Sequence, residues 1–341
     1  MNNLKTTNIL LLIIALPILF YVINILSFIF VPLIFSMLIA LLFLPLMRWL
    51  NKKKVPKIIS LILVLLIISI FFKFSFEVIK LASNEIANSN TILFDVKEKI
   101  EGLLQPLEQL IGLEKNNDED PISHYLKDID VKEKITSVFG FLSTLTSQVL
   151  LTLFFVILWL VESVNFQKVL NKTILKQKFS SIKVFARIEK DILTFIKVKI
   201  VISFFTGLGF TLACYLFDVS FPIFWGLLAF AINFVQMIGS IISIVLLAAF
   251  AFIEINTTGS LLFFILTITL VQAIMGGILE PIFMGKSFSI NVITILIMLL
   301  FWGFIWGVSG MILAIPLTVF LKIMFEQFPK TKIISSLMSS K

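Results

Sequence analysis

Long stretches without a charged residue constrain this chain more than any other feature. A membrane-spanning helix needs about 20 consecutive apolar residues, and transmembrane β-strands alternate apolar with polar residues, which these stretches do not. With 59% hydrophobic and 14% charged residues, the composition excludes a water-soluble globular enzyme, for which about 25% charged residues is typical. We predict an all-α, polytopic membrane protein with about eight membrane segments. The charge-free stretches are residues 6–47, 58–72, 135–161, 200–217, 219–253, 255–279 and 287–321.

The distribution of lysine and arginine predicts the orientation in the membrane. Segment 162–199 carries nine basic and three acidic residues, and the loop after the second span and the C-terminal tail are also basic. Segment 81–135 carries twelve acidic and six basic residues. We therefore expect the acidic segment outside, and the basic segments and both termini on the cytoplasmic side of the membrane. The basic excess indicates topology rather than nucleic-acid binding, because no nucleic-acid motif accompanies it.

Charge and hydropathy together divide the chain into six predicted parts. The acidic insert has apolar residues at helical spacing from Ile92 to Leu110, and this stripe needs a partner, either the insert itself or a neighbouring subunit. The basic linker has an apolar face from Ile182 to Ile196 that either rests on anionic lipid or links the two membrane halves mechanically. The parts are N-terminal membrane spans (1–80), an extracytoplasmic helical insert (81–135), a fourth membrane span (136–161), a cytoplasmic amphipathic helical linker (162–199), a C-terminal transport domain (200–325) and a cytoplasmic tail (326–341).

Several kinds of chemistry lack the residues they need. Cys214 is the only cysteine and His124 the only histidine, so the sequence predicts neither a disulfide nor a metal site. It contains no Walker A loop and no G-x-G-x-x-G motif, so ATP-driven transport within this chain is not supported. We expect no cofactor and no enzymatic activity.

The stretches 219–253 and 287–321 pose a topological question. Each has 35 residues, which is long for one crossing of a bilayer and short for two. The first is interrupted near Asn233, Gln236 and Gly239, and the second near three glycines, Gly303, Gly307 and Gly310. Each is either a re-entrant hairpin or a single long tilted helix. Hairpins in both would make two inverted repeats of a span followed by a broken hairpin, which is typical of transporters.

Three segments resemble signature segments of the AI-2E transporter family. They are Gly277–Asn291, Gly307–Leu317 and Phe221–Gly239, although Gln236 stands where the family usually has proline. The order of elements is also similar to that family over almost the whole chain. The resemblance implies a transporter, with export of the small quorum-sensing furanone autoinducer-2 or sodium–proton exchange as the associated activities. It also implies a homo-oligomer such as a pentamer, in a bacterial inner (cytoplasmic) membrane.

Four polar residues of the C-terminal half are candidates for substrate binding or ion coupling. Glu280 comes first, as an acid within an apolar region, and the alternative is an interfacial carboxylate paired with Lys286. Asn233 and Gln236 could contact a polar solute or hydrogen-bond between helices, and Gln272 precedes Glu280 on its span. Residues expected to break or bend helices are Gly239, Pro281, Gly285, Gly303, Gly307, Gly310 and Pro316.

The sequence thus favours a secondary transporter or exporter of a small polar solute such as autoinducer-2, working by alternating access. Its expected partners are the lipid bilayer, the solute, a sodium ion or proton, and further copies of the chain. Two alternatives stay open. The first is a sodium (cation)/proton antiporter that uses Glu280, and the second is a non-transporting membrane scaffold.

Overall fold

A computed structural model of the protein describes residues 2–88, 148–162, 179–284, 290–329 and 331–339. Every regular element within these ranges is helical, as the charge-free stretches predict. Most of the predicted insert, part of the fourth span, residues 163–178 of the linker, and Gly285 and Lys286 lie outside the described residues. The helices are α1 (Asn2–Ile25), α2 (Ser27–Lys52), α3 (Lys57–Asn88), α4 (Gln148–Glu162), α5 (Phe179–Leu216), α6 (Pro222–Ile232), α7 (Ile238–Glu254), α8 (Thr258–Gln272), a π-helical segment (Ala273–Leu279), α9 (Glu280–Met284), α10 (Val292–Gln327) and α11 (Lys332–Met338).

Five helices among the described residues are long and apolar enough to cross a membrane. Their outward surfaces are dominated by large exposed apolar side chains, such as Ile62, Phe263 and Ile297, which suit a lipid environment. The prediction of about eight segments stays a prediction. The five are Ser27–Lys52, Lys57–Leu81, Arg187–Leu216, Thr258–Met284 and Val292–Gln327.

Three of the four apolar clusters among the described residues show how the helices are connected. Val64 and Leu160 belong to a cluster that joins α2, α3 and α4. Phe210 and Phe264 belong to a second cluster, in which α5 and α8 pack with α6 and α7. A third cluster, built around Leu313, joins α2, α5 and α10. Helix α5 therefore packs in two of the clusters and α2 in two, which connects the N-terminal helices to the C-terminal ones.

The stretch 219–253 consists of two helices that lie side by side. Helix α6 ends at Ile232 and α7 begins at Ile238, with residues 233–237 between them. The ring of Phe250 near the end of α7 lies 5.0 Å from that of Trp225 at the start of α6. The backbone N–H of Ser220 donates to Oε2 of Glu254 over 2.7 Å, so the two ends of the stretch meet.

The stretch 287–321 is also interrupted at its centre. Helix α10 has non-helical backbone angles at Trp306 and Gly307, and the φ of Gly307 is +60°, a conformation that glycine adopts without steric cost. A Cβ added to Gly303 would lie 2.9 Å from Cγ of Met311. In an uninterrupted helix residues eight apart are separated by about 12 Å, so the two halves of α10 lie against each other.

The C-terminal helix closes onto the start of α10. The backbone N–H of Asn291 donates to the carbonyl of Met338 over 2.9 Å, and its side-chain amide donates to the carbonyl of Leu337 over 2.8 Å. The side-chain oxygen of Asn291 also accepts from the N–H of Thr294, as an N-cap does. The beginning of α10 and the segment that follows its end are therefore neighbours.

Candidate functional site

Helix α5 carries a polar face through its apolar length. Lys199, Ser203 and Thr206 follow one another at spacings of four and three residues, so they lie on the same side of the helix. All three are buried, with Lys199 only 1% exposed. A buried lysine in a membrane-spanning segment is costly unless its charge is matched, so the partners of this face identify the site.

An ion pair between Lys199 and Glu280 is the centre of the site. Lys199 Nζ lies 2.8 Å from Glu280 Oε1, and the two side chains are only 2% and 5% exposed. Lys199 Nζ also donates to Oε1 of Gln236 over 2.7 Å. One ammonium group thus joins α5, the break between α6 and α7, and the first residue of α9.

A second set of hydrogen bonds extends the site along the same face of α5. Asn233 donates to Oγ of Ser203 over 3.0 Å, and Nε2 of Gln272 donates to Oδ1 of Asn233 over 3.2 Å. Nε2 of Gln272 also donates to Oγ of Ser240 over 2.5 Å. We call Lys199, Ser203, Asn233, Gln236, Ser240, Gln272 and Glu280 the polar network.

Two buried atoms near these contacts have no hydrogen-bond partner in the described part of the chain. They are Oε1 of Gln272, whose amide nitrogen belongs to the polar network, and Oγ1 of Thr206 on the polar face of α5. A buried acceptor without a partner costs about 1–3 kcal/mol. Such atoms are available to a polar ligand or to water.

The backbone around the polar network is irregular for identifiable reasons. Met237, between α6 and α7, has a φ of +61°, and a Cβ on Gly239 would overlap the carbonyl of Ile232. Glycine is therefore required where the two helices approach most closely. The π-helical segment separates Gln272 from Glu280, and its wider turns change the direction in which Glu280 projects.

The second interruption lies near the first. Val235, in the break between α6 and α7, packs in one apolar cluster with Trp302 and Ile305 of α10. Helix α1 covers the interruption in α10, where Asn24 donates to the carbonyl of Ile305 and Nε1 of Trp306 donates to the carbonyl of Ile23 over 3.1 Å.

The structure brings the four candidate polar residues, Asn233, Gln236, Gln272 and Glu280, together in the polar network. It places the predicted helix-breaking residues at several points around them. Gly239 lies in the first turn of α7, Pro281 is the second residue of α9, and Gly303, Gly307, Gly310 and Pro316 all lie in α10.

Sequence reasoning missed Lys199, Ser203, Ser240 and Asn24. The charge pattern places Lys199 in the predicted cytoplasmic linker, because it follows eight other basic residues. Its helical spacing to Ser203 and Thr206 was the available signal. Among the residues that the structure describes, no group of three or more His, Cys, Asp or Glu side chains could hold a metal ion.

Comparison with known proteins identifies relatives along the length of the chain. "AI-2 transport protein TqsA" of Escherichia coli is 27% identical over 320 residues, which cover 91% of this chain and 89% of that protein. A Haemophilus influenzae protein, named provisionally as a transport protein, is 25% identical over 337 residues, 97% of this chain and 95% of that one. A protein of Borreliella burgdorferi with the same provisional name is 31% identical, but over only 41% of this chain and 39% of its own length.

The family model described as AI-2E family transporter matches residues 9–330. This match includes both interrupted stretches and every member of the polar network. The chain therefore belongs to the AI-2E family of membrane transporters.

Proposed function

We propose that the protein is a secondary transporter of a small polar solute and that the polar network is its transport site. The observation that carries this proposal is the buried Lys199–Glu280 pair, which is held by an amide from an interrupted membrane stretch. Ionisable groups inside membrane segments are rare because their burial is costly, and they commonly mark substrate or ion pathways. The match with transporters along the chain supports the same reading.

The stretches 219–253 and 287–321 are, in this proposal, re-entrant hairpins. The contact between Ser220 and Glu254 supports the first, since it joins residues that a single crossing would put at opposite membrane faces. The contact between Asn291 and Met338 supports the second in the same way. The proposed unit is thus a span followed by a hairpin, present twice in opposite orientation. Transporters with this arrangement bind their solute near the hairpin tips.

The division of the site between separate elements supports alternating access as the mechanism. Lys199 and Ser203 belong to α5, whereas Asn233 and Gln236 belong to the tip of the first hairpin. A small displacement of the tip along α5 would exchange the partners of these side chains. The site would then open toward one side of the membrane at a time.

Autoinducer-2 is the solute we propose, because a relative that matches nearly the whole chain is an AI-2 transport protein. The polar network suits a neutral molecule with several hydroxyl groups. Side-chain amides both donate and accept hydrogen bonds, and Oε1 of Gln272 has an unused acceptor position.

Cation/proton exchange is the second candidate function, and the Glu280 carboxylate favours it, since a carboxylate can take up a proton or a cation. A scaffold without transport activity would leave the buried ion pair without a role.

The membrane location and the assembly predicted from the sequence are also part of the proposal. We propose an inner-membrane location with both termini in the cytoplasm, because of the basic linker and tail, and a homo-oligomeric assembly.

Replacement of the Glu280 carboxylate tests the proposed transport site. We expect Glu280→Gln, reconstituted in liposomes, to move autoinducer-2 at least about tenfold more slowly than the wild type, because a hydrogen bond to a charged group contributes about 1.5–3 kcal/mol. Glu77→Gln makes the same chemical change at an exposed position of α3 and should transport normally. Normal transport by a folded Glu280→Gln protein would refute the proposed site.

A further inference from the structure

We propose that Lys199 is a tethered competitor for a sodium ion at Glu280. The structure then represents the state in which the lysine ammonium group occupies the site, and a sodium ion replaces it in another state of the transport cycle. This inference rests on the proposed function, in which Glu280 belongs to the transport site, and adds the identity of the group that competes with the ion.

The surroundings of the Lys199 ammonium resemble part of a cation site. Its Nζ lies between two side-chain oxygens, Oε1 of Glu280 at 2.8 Å and Oε1 of Gln236 at 2.7 Å. A carboxylate and an amide carbonyl are hard oxygen ligands of the kind that bind small metal cations. The ammonium group is itself a compact monovalent charge, so a sodium ion could take its place without a change in net charge at the carboxylate.

The backbone near these oxygens is suited to a cation as well. Gln236 lies in the break between α6 and α7, and Glu280 directly follows the π-helical segment. Interrupted helices in membrane carriers commonly offer backbone carbonyls to sodium, because those carbonyls are released from the regular helical ladder. Both oxygens that hold Lys199 therefore come from places where further oxygen ligands are within the reach of small backbone movements.

A purely structural role explains the Lys199–Glu280 pair poorly. Replacing a buried ion pair by well-packed apolar residues is often neutral or stabilising, so the pair is weak evidence for stability. Other buried charged residues of the described chain lie outside the polar network. Asp191, for example, pairs with Arg187. Competition gives the pair a function. Two cations beside one buried carboxylate would repel each other strongly, so sodium binding would release Lys199 as the neutral amine, with its proton passing to water, and would free α5 from the tip of the first hairpin.

Sodium-dependent stabilisation of the full-length protein in detergent tests this proposal. Thermal unfolding is followed at fixed pH over a series of sodium chloride concentrations, with choline chloride keeping the ionic strength constant. We expect the sodium concentration at half-maximal stabilisation to fall at least about tenfold in Lys199→Met relative to wild type, because the competitor is gone. Glu280→Gln and the double variant Lys199→Met/Glu280→Gln should show no sodium-dependent stabilisation.

Two outcomes would overturn the role of Lys199. Either Lys199→Met has the same half-maximal sodium concentration as the wild type, or it shows no sodium response although it is folded. If Lys199→Met is recovered in neither salt, Lys199→Gln is measured in the same way, and the absence of a sodium preference in that variant also overturns the proposal. Normal solute transport by Glu280→Gln would instead refute the proposed function, so the two failures are distinguishable.

Discussion

Two glycines allow α5 and α6 to approach at the level of their backbones. A Cβ added to Gly207 would lie 2.5 Å from the carbonyl oxygen of Gly226, and one added to Gly226 would overlap Oγ1 of Thr211. Small residues commonly permit such close packing in membrane proteins, where association of helices depends on van der Waals contact. This contact holds the first interrupted stretch beside the helix that carries Lys199.

Gly226→Ala should therefore destabilise the protein. We expect a loss of about 1–3 kcal/mol, the usual result of overpacking, although alanine favours a helix by up to about 1 kcal/mol over glycine. The matched control is Gly259→Ala in α8, where an added Cβ meets nothing within 4 Å. Thermal unfolding in detergent measures both variants. A Gly226→Ala protein as stable as the control would contradict the close approach.

At the scale of elements, the N-terminal half of α5 packs inside the protein. Ile188, Ile192 and Phe195 are buried in the cluster that also contains residues of α2 and α10. Arg48 of α2 pairs with Glu189 over 3.1 Å, and Arg187 pairs with Glu326 of α10 over 3.0 Å. Of the two roles that the sequence allowed for the linker, these contacts favour a mechanical link over a helix that rests on lipid.

Ile192→Ala distinguishes these two roles. If Ile192 is packed between helices, its truncation should lower the free energy of unfolding by about 2–5 kcal/mol, because it leaves a cavity. Lys190→Ala, two residues away and exposed, should change that free energy by less than about 0.5 kcal/mol. The measurement is unfolding in detergent without anionic lipid. Equal effects of the two variants would favour the lipid-bound helix.

At the scale of the whole molecule, the two ends of the first interrupted stretch lie together, and the start of the second lies beside the C-terminal helix. Ser220 meets Glu254, and Asn291 meets Met338. If both stretches are hairpins, residues 220 and 254 share one side of the membrane, and residues 291 and 338 share the other. If both are single crossings, residue 220 lies on the same side as in the hairpin arrangement, and residue 254 lies on the opposite side.

Cysteine accessibility tests this arrangement. The only cysteine, Cys214, is buried, so Cys214→Ala provides a background for single cysteines. We expect Asn256→Cys to react with a membrane-impermeant maleimide in intact cells, as Ser220→Cys should in either topology. Lys332→Cys, which we expect on the cytoplasmic side in both topologies, should react only after the cells are opened. Labelling of Asn256→Cys that matches Lys332→Cys rather than Ser220→Cys would exclude the first hairpin.

The N-terminal turn shows how tertiary contacts override a local signal. The charge-free stretch 6–47 is long enough for two spans, and Val31-Pro32 near its middle predicts the turn between them, because proline lacks a helical donor. The prediction was wrong, since α1 ends at Ile25 and α2 begins at Ser27, with Pro32 buried inside α2. Next to the actual turn, Asn24 donates a hydrogen bond to α10, and the carbonyl of Ile23 accepts one from α10. Neither contact has a local signature in the sequence.

The helical membrane class can be predicted from the amino-acid sequence alone, because charge-free stretches of this length can satisfy their backbone hydrogen bonds in lipid only as helices. The sequence also locates the interruptions near Asn233 and Gly307, where amides and glycines weaken a helix. The contact between Lys199 and Glu280, by contrast, becomes evident only in the folded protein. These residues are 81 positions apart, and their pairing depends on α5, the break between α6 and α7, and the π-helical segment meeting in space. A basic residue at the end of a basic linker has the same local pattern whether it faces the cytoplasm or a buried carboxylate, so its role depends on packing.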